Sequence, residues 1–139
     1  MSSRPQFSPY VVYPNANASP ASTSSMATSF TTEPTIVQKL SQISYECIWT
    51  GSAVGSLSVQ GSNDFSITPG GMNYVQNPGT WTSLILSYNG GDTTSIPITG
   101  SGGNGIIDIA STGLYAVRLI YTAASGTGSM SVVINAKVA

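Results

Sequence analysis

The sequence predicts an all-β chain, an antiparallel β-sandwich preceded by an extended N-terminal arm. Three observations lead there. Near the C-terminus, Tyr115, Val117, Leu119 and Tyr121 fall on every second residue, and Met130, Val132, Ile134, Ala136 and Val138 repeat the pattern. That period of two marks strands with one face buried. Roughly seven or eight such runs are separated by Gly, Asn, Ser and Pro clusters at the spacing of a sandwich or barrel. No window carries a helical period.

The chain divides at residue 35. Residues 1–35 hold Pro5, Pro9, Pro14, Pro20 and Pro34, and Asn15 to Ser29 is nearly all Ala, Ser, Thr, Asn and Pro. Such a segment buries too little apolar area to offset its ordering entropy, so on its own it is expected to be disordered or extended. Within it Phe7, Tyr10, Val11, Val12 and Tyr13 form an aromatic and β-branched knot. A knot of that kind in a flexible arm is expected to dock into a groove or to add a strand to a sheet edge.

Residues 36–139 are the sandwich. Ile36 to Trp49 reads as a strand region with an irregularity near Ser41, and Ile43, Tyr45, Cys47 and Trp49 share one face. Val54 to Gln60 follows with Leu57 and Val59 inward. A long loop from Gly61 to Gly79 leaves room for a short strand at Phe65 and Ile67. Trp81 to Tyr88 is expected as one strand, closed by the turn Asn89-Gly90-Gly91-Asp92. Pro97 makes Thr94 to Thr99 an edge strand or an irregular one, and Ile106 to Ala110 is another strand. The last two runs flank Ser125-Gly126-Thr127-Gly128 and are expected to pair as a β-hairpin. Its second face, with Arg118, Ile120, Val133 and Lys137, is too mixed for a solvated surface and is expected to pack on another sheet or subunit.

Composition limits the function. The 139 residues fit one domain. Only 6% are charged, against roughly 25% in an average soluble protein, a balance that favours association and suits a component of an assembly. The net charge is −1, and the four basic residues Arg4, Lys39, Arg118 and Lys137 are scattered. No nucleic-acid partner is expected, because that binding needs a basic stripe. No apolar run has the length of a membrane span, and the N-terminus has no signal-like core, so no membrane partner is expected. Cys47 stands alone and reads as a small buried hydrophobe.

The chain has no histidine, which removes the commonest general base and metal ligand and rules out a Ser-His-Asp triad. The acids Glu33, Glu46, Asp64, Asp92 and Asp108 show no paired-carboxylate or calcium-loop spacing. Asp64 and Asp92 are accounted for by turn chemistry. Gly100 to Gly105 lacks the Lys and strand-to-helix setting of a phosphate loop. No catalytic residue, cofactor or metal is expected. Arg118, in the middle of a strand, is expected to serve an interface or to pair with Glu46 or Asp108. Trp49 and Trp81 read as core, while Tyr74 and Tyr88 flank loops.

Three stretches carry a resemblance. Ser58 to Asp64 gives a strand and turn of the form S-x-Q-G-S-x-D, Trp81 to Ser87 opens a strand on Trp, and Tyr115 to Lys137 closes on Y-x-x-R-L-x-Y-T with S-G-T-G. Together, over residues 43–139, they resemble a module of tailed-bacteriophage virions, with a jelly-roll or discoidin-like pattern. The resemblance implies a non-enzymatic virion protein, most concretely a capsid decoration or cement protein located in the virion. Its partners would be other virion proteins, either the capsid shell or neighbouring copies in a homo-oligomer such as a trimer. The alternative is a glycan- or receptor-binding module of a tail, neck or head fibre using loops 61–80 and 89–105, or a main capsid or tail building block.

Overall fold

The computed structural model of the protein describes residues 6–11, 24–38, 40–67, 75–110 and 113–137. All regular structure among them is β. In chain order the strands are β1 (Gln6–Val11), β2 (Ser24–Ser25), β3 (Phe30–Thr31), β4 (Thr35–Ile36), β5 (Gln42–Gly51) and β6 (Val54–Ser62). β7 (Ser66–Ile67), β8 (Val75–Asn77), β9 (Thr82–Ser83), β10 (Leu86–Tyr88) and β11 (Gly91–Thr93) follow. β12 (Ile96–Thr99), β13 (Gly103–Ile109), β14 (Ala116–Ser125) and β15 (Gly128–Lys137) complete the chain.

Two antiparallel sheets form a sandwich. The larger runs β1-β15-β5-β13-β10-β11, with β2 also on β15. The smaller runs β12-β6-β14-β3, with β4 on β14 and β9 on β6. β7 and β8 pair apart from both. The inward residues of each sheet close one core: Tyr45, Cys47, Ile107, Val132 and Ile134 from the larger, Leu57, Val59, Val117, Leu119 and Tyr121 from the smaller. Each fully buried aliphatic side chain contributes about 1.5–3 kcal/mol relative to exposure.

The expected C-terminal hairpin does not form. β14 pairs with β6 along almost its whole length, and β15 pairs with β5 from Gly128 opposite Gly51 to Lys137 opposite Gln42. A hairpin would have put both apolar stripes on one sheet face; here the stripes meet across the core. The glycines that read as a hairpin turn make a corner between sheets. Gly126 has φ +75°, and a Cβ there would strike the Ser52 carbonyl. Gly51 has φ +98°, and its Cβ would lie 2.5 Å from the Thr127 oxygen. The two corners, 51–53 and 126–128, are thus pressed together, and the Ser52 amide donates to the Thr127 carbonyl at 2.8 Å.

Trp81 to Tyr88 is also not one strand. It breaks at Leu84-Ile85, with β9 on the smaller sheet and β10 on the larger. Leu84 bonds across to Val59, and Leu84 and Leu86 are buried while Ile85 is exposed. The turn after it matches expectation: Asn89 (φ 53°) and Gly90 (φ 80°) join β10 to β11 with both central residues left-handed, the geometry of a two-residue hairpin loop. Pro97 sits in the edge strand β12, as read.

Residues 24–35, assigned to the arm on composition, belong to the sandwich. Met26 is fully buried, and its amide donates to the Gly128 carbonyl at 2.8 Å. Thr32 is buried and bonds Leu119 in both directions at 2.9 Å. Phe30 lies 5.6 Å from the Tyr121 ring.

Candidate functional site

Two places on this scaffold answer to the residues singled out by sequence. The first is the outer edge of β15. Its other edge is filled by β5 along the whole strand, so any further strand must add here. β1 does so, with Gln6 opposite Lys137, Phe7 opposite Ala136, Tyr10 opposite Ile134 and Val11 opposite Val133. The register shifts between Phe7 and Tyr10, where Ser8 and Pro9 lie. Proline has no N–H to give to a ladder and is tolerated at edges and bulges. β2 occupies the same edge further along, Ser24 opposite Met130 and Ser25 opposite Ser129. Of the five expected anchors, Phe7, Tyr10 and Val11 fall in β1; Val12 and Tyr13 lie outside the described residues.

The second is the outer face of the smaller sheet around Arg118. Gln60 in β6 stands opposite Arg118 in β14 and also opposite Ser83 in β9. The Arg118 Nε and Nη2 groups donate to Gln60 Oε1 at 2.9 and 2.7 Å. The guanidinium lies 4.2 Å from the Trp81 ring centroid, a cation–π distance. Trp81 in turn donates from its indole to the Pro78 carbonyl at 2.8 Å and packs at 5.6 Å on Phe65. Partial burial pushes the Arg118 pKa below its ordinary value, and arginine stays protonated at any working pH.

Arg118 therefore does not pair with Glu46 or Asp108. Those two lie on the larger sheet, Glu46 opposite Ile106 and Asp108 opposite Ser44, and point outward from the far side of the sandwich. Parity along a strand showed which face each occupies, but not which sheet. Gln60 was missed as the partner, although its place in the S-x-Q-G-S-x-D run gives it the outward parity that reaches Arg118.

Asp64 does the turn work expected of it. Its Oδ1 accepts from the Thr80 amide at 2.6 Å and from the Ser62 hydroxyl at 2.8 Å. These bonds, the Thr80 amide first, hold its pKa below the ordinary value. Ser62 is itself buried and accepts from the Phe65 amide, so Asp64 clasps the 62–80 loop to the strand before it.

Cys47 is fully buried, and burial first, then the neighbouring Glu46 charge, pushes its thiol up to about 12. A thiol so placed is a core group rather than a nucleophile. Trp49 packs against the core and donates to the Ser101 carbonyl at 3.1 Å. Tyr88 is half-buried, with its ring against Gly105. Tyr74 lies outside the described residues. A shallow depression of about 340 Å³ is lined by Gln42, Ser44, Asn135 and Asp108, the last its sole carboxylate. Among the described residues no three His, Cys, Asp or Glu side chains gather as a metal site would require.

No protein-family model matches the chain, and no curated protein matches it. Among solved structures it is similar to the crystal structure of the SPBc2 prophage-derived protein YomS, with a TM-score of 0.50 and 14% sequence identity. The likeness covers 86% of this chain and 99% of that one. At such identity it speaks for the shared all-β architecture alone.

Proposed function

We propose that this chain is a non-enzymatic structural component of a bacteriophage particle, a capsid decoration or cement protein that joins neighbouring subunits through its N-terminal arm. The observation that carries the reading is β1 itself, an added strand on an open sheet edge. Main-chain pairing of that kind supplies affinity with little demand on side chains. The 6% charge content and the exposed Ile48 and Ile106 on the larger sheet suit a protein held among neighbours. The fold it shares with a prophage-derived protein supports the phage setting.

A glycan-binding role has less behind it. Among the described residues, the rings it would use are engaged within the chain, Trp81 on Arg118 and Phe65, Tyr88 against Gly105.

Deleting residues 2–23 tests the proposal, because that cut stops short of Met26. The truncated protein is expected to fold and to lose association with particles and the heat resistance it confers on them. Association equal to that of the full chain would overturn the arm mechanism.

A further inference from the structure

The edge of β15 fits one occupant best, and the chain's own geometry names it. β1 and β2 lie in line on that edge, running the same way: Gln6 at Lys137, Val11 at Val133, Ser24 at Met130, Ser25 at Ser129. From Val11 to Ser24 the chain therefore advances only from Val133 to Met130, about 10 Å at the rise of a strand. Twelve residues, Val12 to Thr23, lie between. Extended, they reach about 40 Å, some four times what pairing within one copy needs.

The strand is also detachable from the fold that carries it. Among the described residues it is bonded on one side only, at the end of the larger sheet. Met26 is buried in the core, so the chain is rooted there whatever residues 6–11 do. A vacated β15 would leave a row of unpaired N–H and C=O groups along the β1 half of its edge, a template for any strand of matching register. The β1 of a second copy matches that register residue for residue.

We infer that β1 is an exchanged strand: in the assembled protein, residues Gln6–Val11 of one copy pair with Val133–Lys137 of another. The ladder bonds are the same within a chain or between chains, so exchange loses no pairing and its balance is set by linker reach and local concentration. Pro9 lies within β1 and has no N–H to give to a ladder, which discourages a further strand from adding outside it. This deepens the assembly reading above and rests on it, by making a second copy of this chain the arm's partner.

The test uses full-length chains, Val11→Cys in one and Val133→Cys in the other, carrying different tags and co-expressed. The two positions are direct cross-strand partners, and the native Cys47 is fully buried. With reciprocal exchange, oxidation is expected to link a V11C chain to a V133C chain in about half of the dimers, the fraction that is mixed; peptide mass spectrometry identifies the linkage. A chain carrying both substitutions serves as the control. If it closes a disulfide within itself while the co-expressed pair gives no linkage, exchange is overturned. If neither links, the register on which exchange rests is overturned too. Particle association is measured separately on the same chains. Linkage without association would overturn the cement role and keep the exchange; association without linkage would do the reverse.

Discussion

Two pieces of the N-terminal region, residues 24–36 and residues 6–11, hold to the same body by different means. The first gives side chains to the core: Met26 is fully buried, Thr32 satisfies both backbone groups of Leu119, and Phe30 meets Tyr121. The second gives a backbone ladder to one edge. Burial of side chains ties a segment to the global unfolding of the domain, whereas a terminal edge ladder can open alone. That contrast places the end of the arm. It is the stretch before Ser24, and the residues after it are part of what the arm is fastened to.

The sharpest way to break that distinction is Met26→Ala. The side chain is completely enclosed, and truncating a buried methionine costs about 2–5 kcal/mol. Chemical denaturation should show a loss of that size. Removal of residues 2–23 should cost clearly less in the same assay, since it takes away one ladder on the β15 edge and leaves Met26 in place. Equal losses would mean that the arm is as much a part of the folding unit as Met26.

A smaller effect is expected at Asp64, which touches neither segment. Its pKa is lowered, so the stability it adds is complete above its ordinary value of 3.8 and is lost as pH falls through the folded value. The melting-temperature difference between wild type and Asp64→Asn should therefore be largest near neutrality and shrink below about pH 4. A difference that stays constant into acid would show that the carboxylate bonds to Thr80 and Ser62 add nothing.

The sequence made strands legible and their partners much less so. The stripe from Val117 to Tyr121 and that from Met130 to Ala136 are buried as period two requires. The same alternation is blind to which strand lies alongside, so S-G-T-G looked like a hairpin turn when it is a corner between sheets. Trp81 to Tyr88 misled for a related reason: Leu84 and Leu86 both face the core, but from different sheets. Composition marked residues 24–35 as arm because Ser and Thr dominate them. Nothing in composition reveals that Met26 enters the core, or that Thr32 places its hydroxyl on a buried amide. At Arg118 the outward parity was readable, while its partner Gln60 depended on the pairing of β6 with β14.

Hydrogen exchange read by mass spectrometry on the dilute full-length chain tests the central distinction most directly. The bonded amides of Met26 and Thr32 should exchange only with global unfolding, slowing and speeding as overall stability is changed. Amides of residues 6–11 should exchange faster, through local release from the β15 edge, and should ignore changes in global stability. If both segments exchange at one rate and respond together to destabilisation, the N-terminal strand is a fixed part of the sandwich and the arm mechanism is wrong.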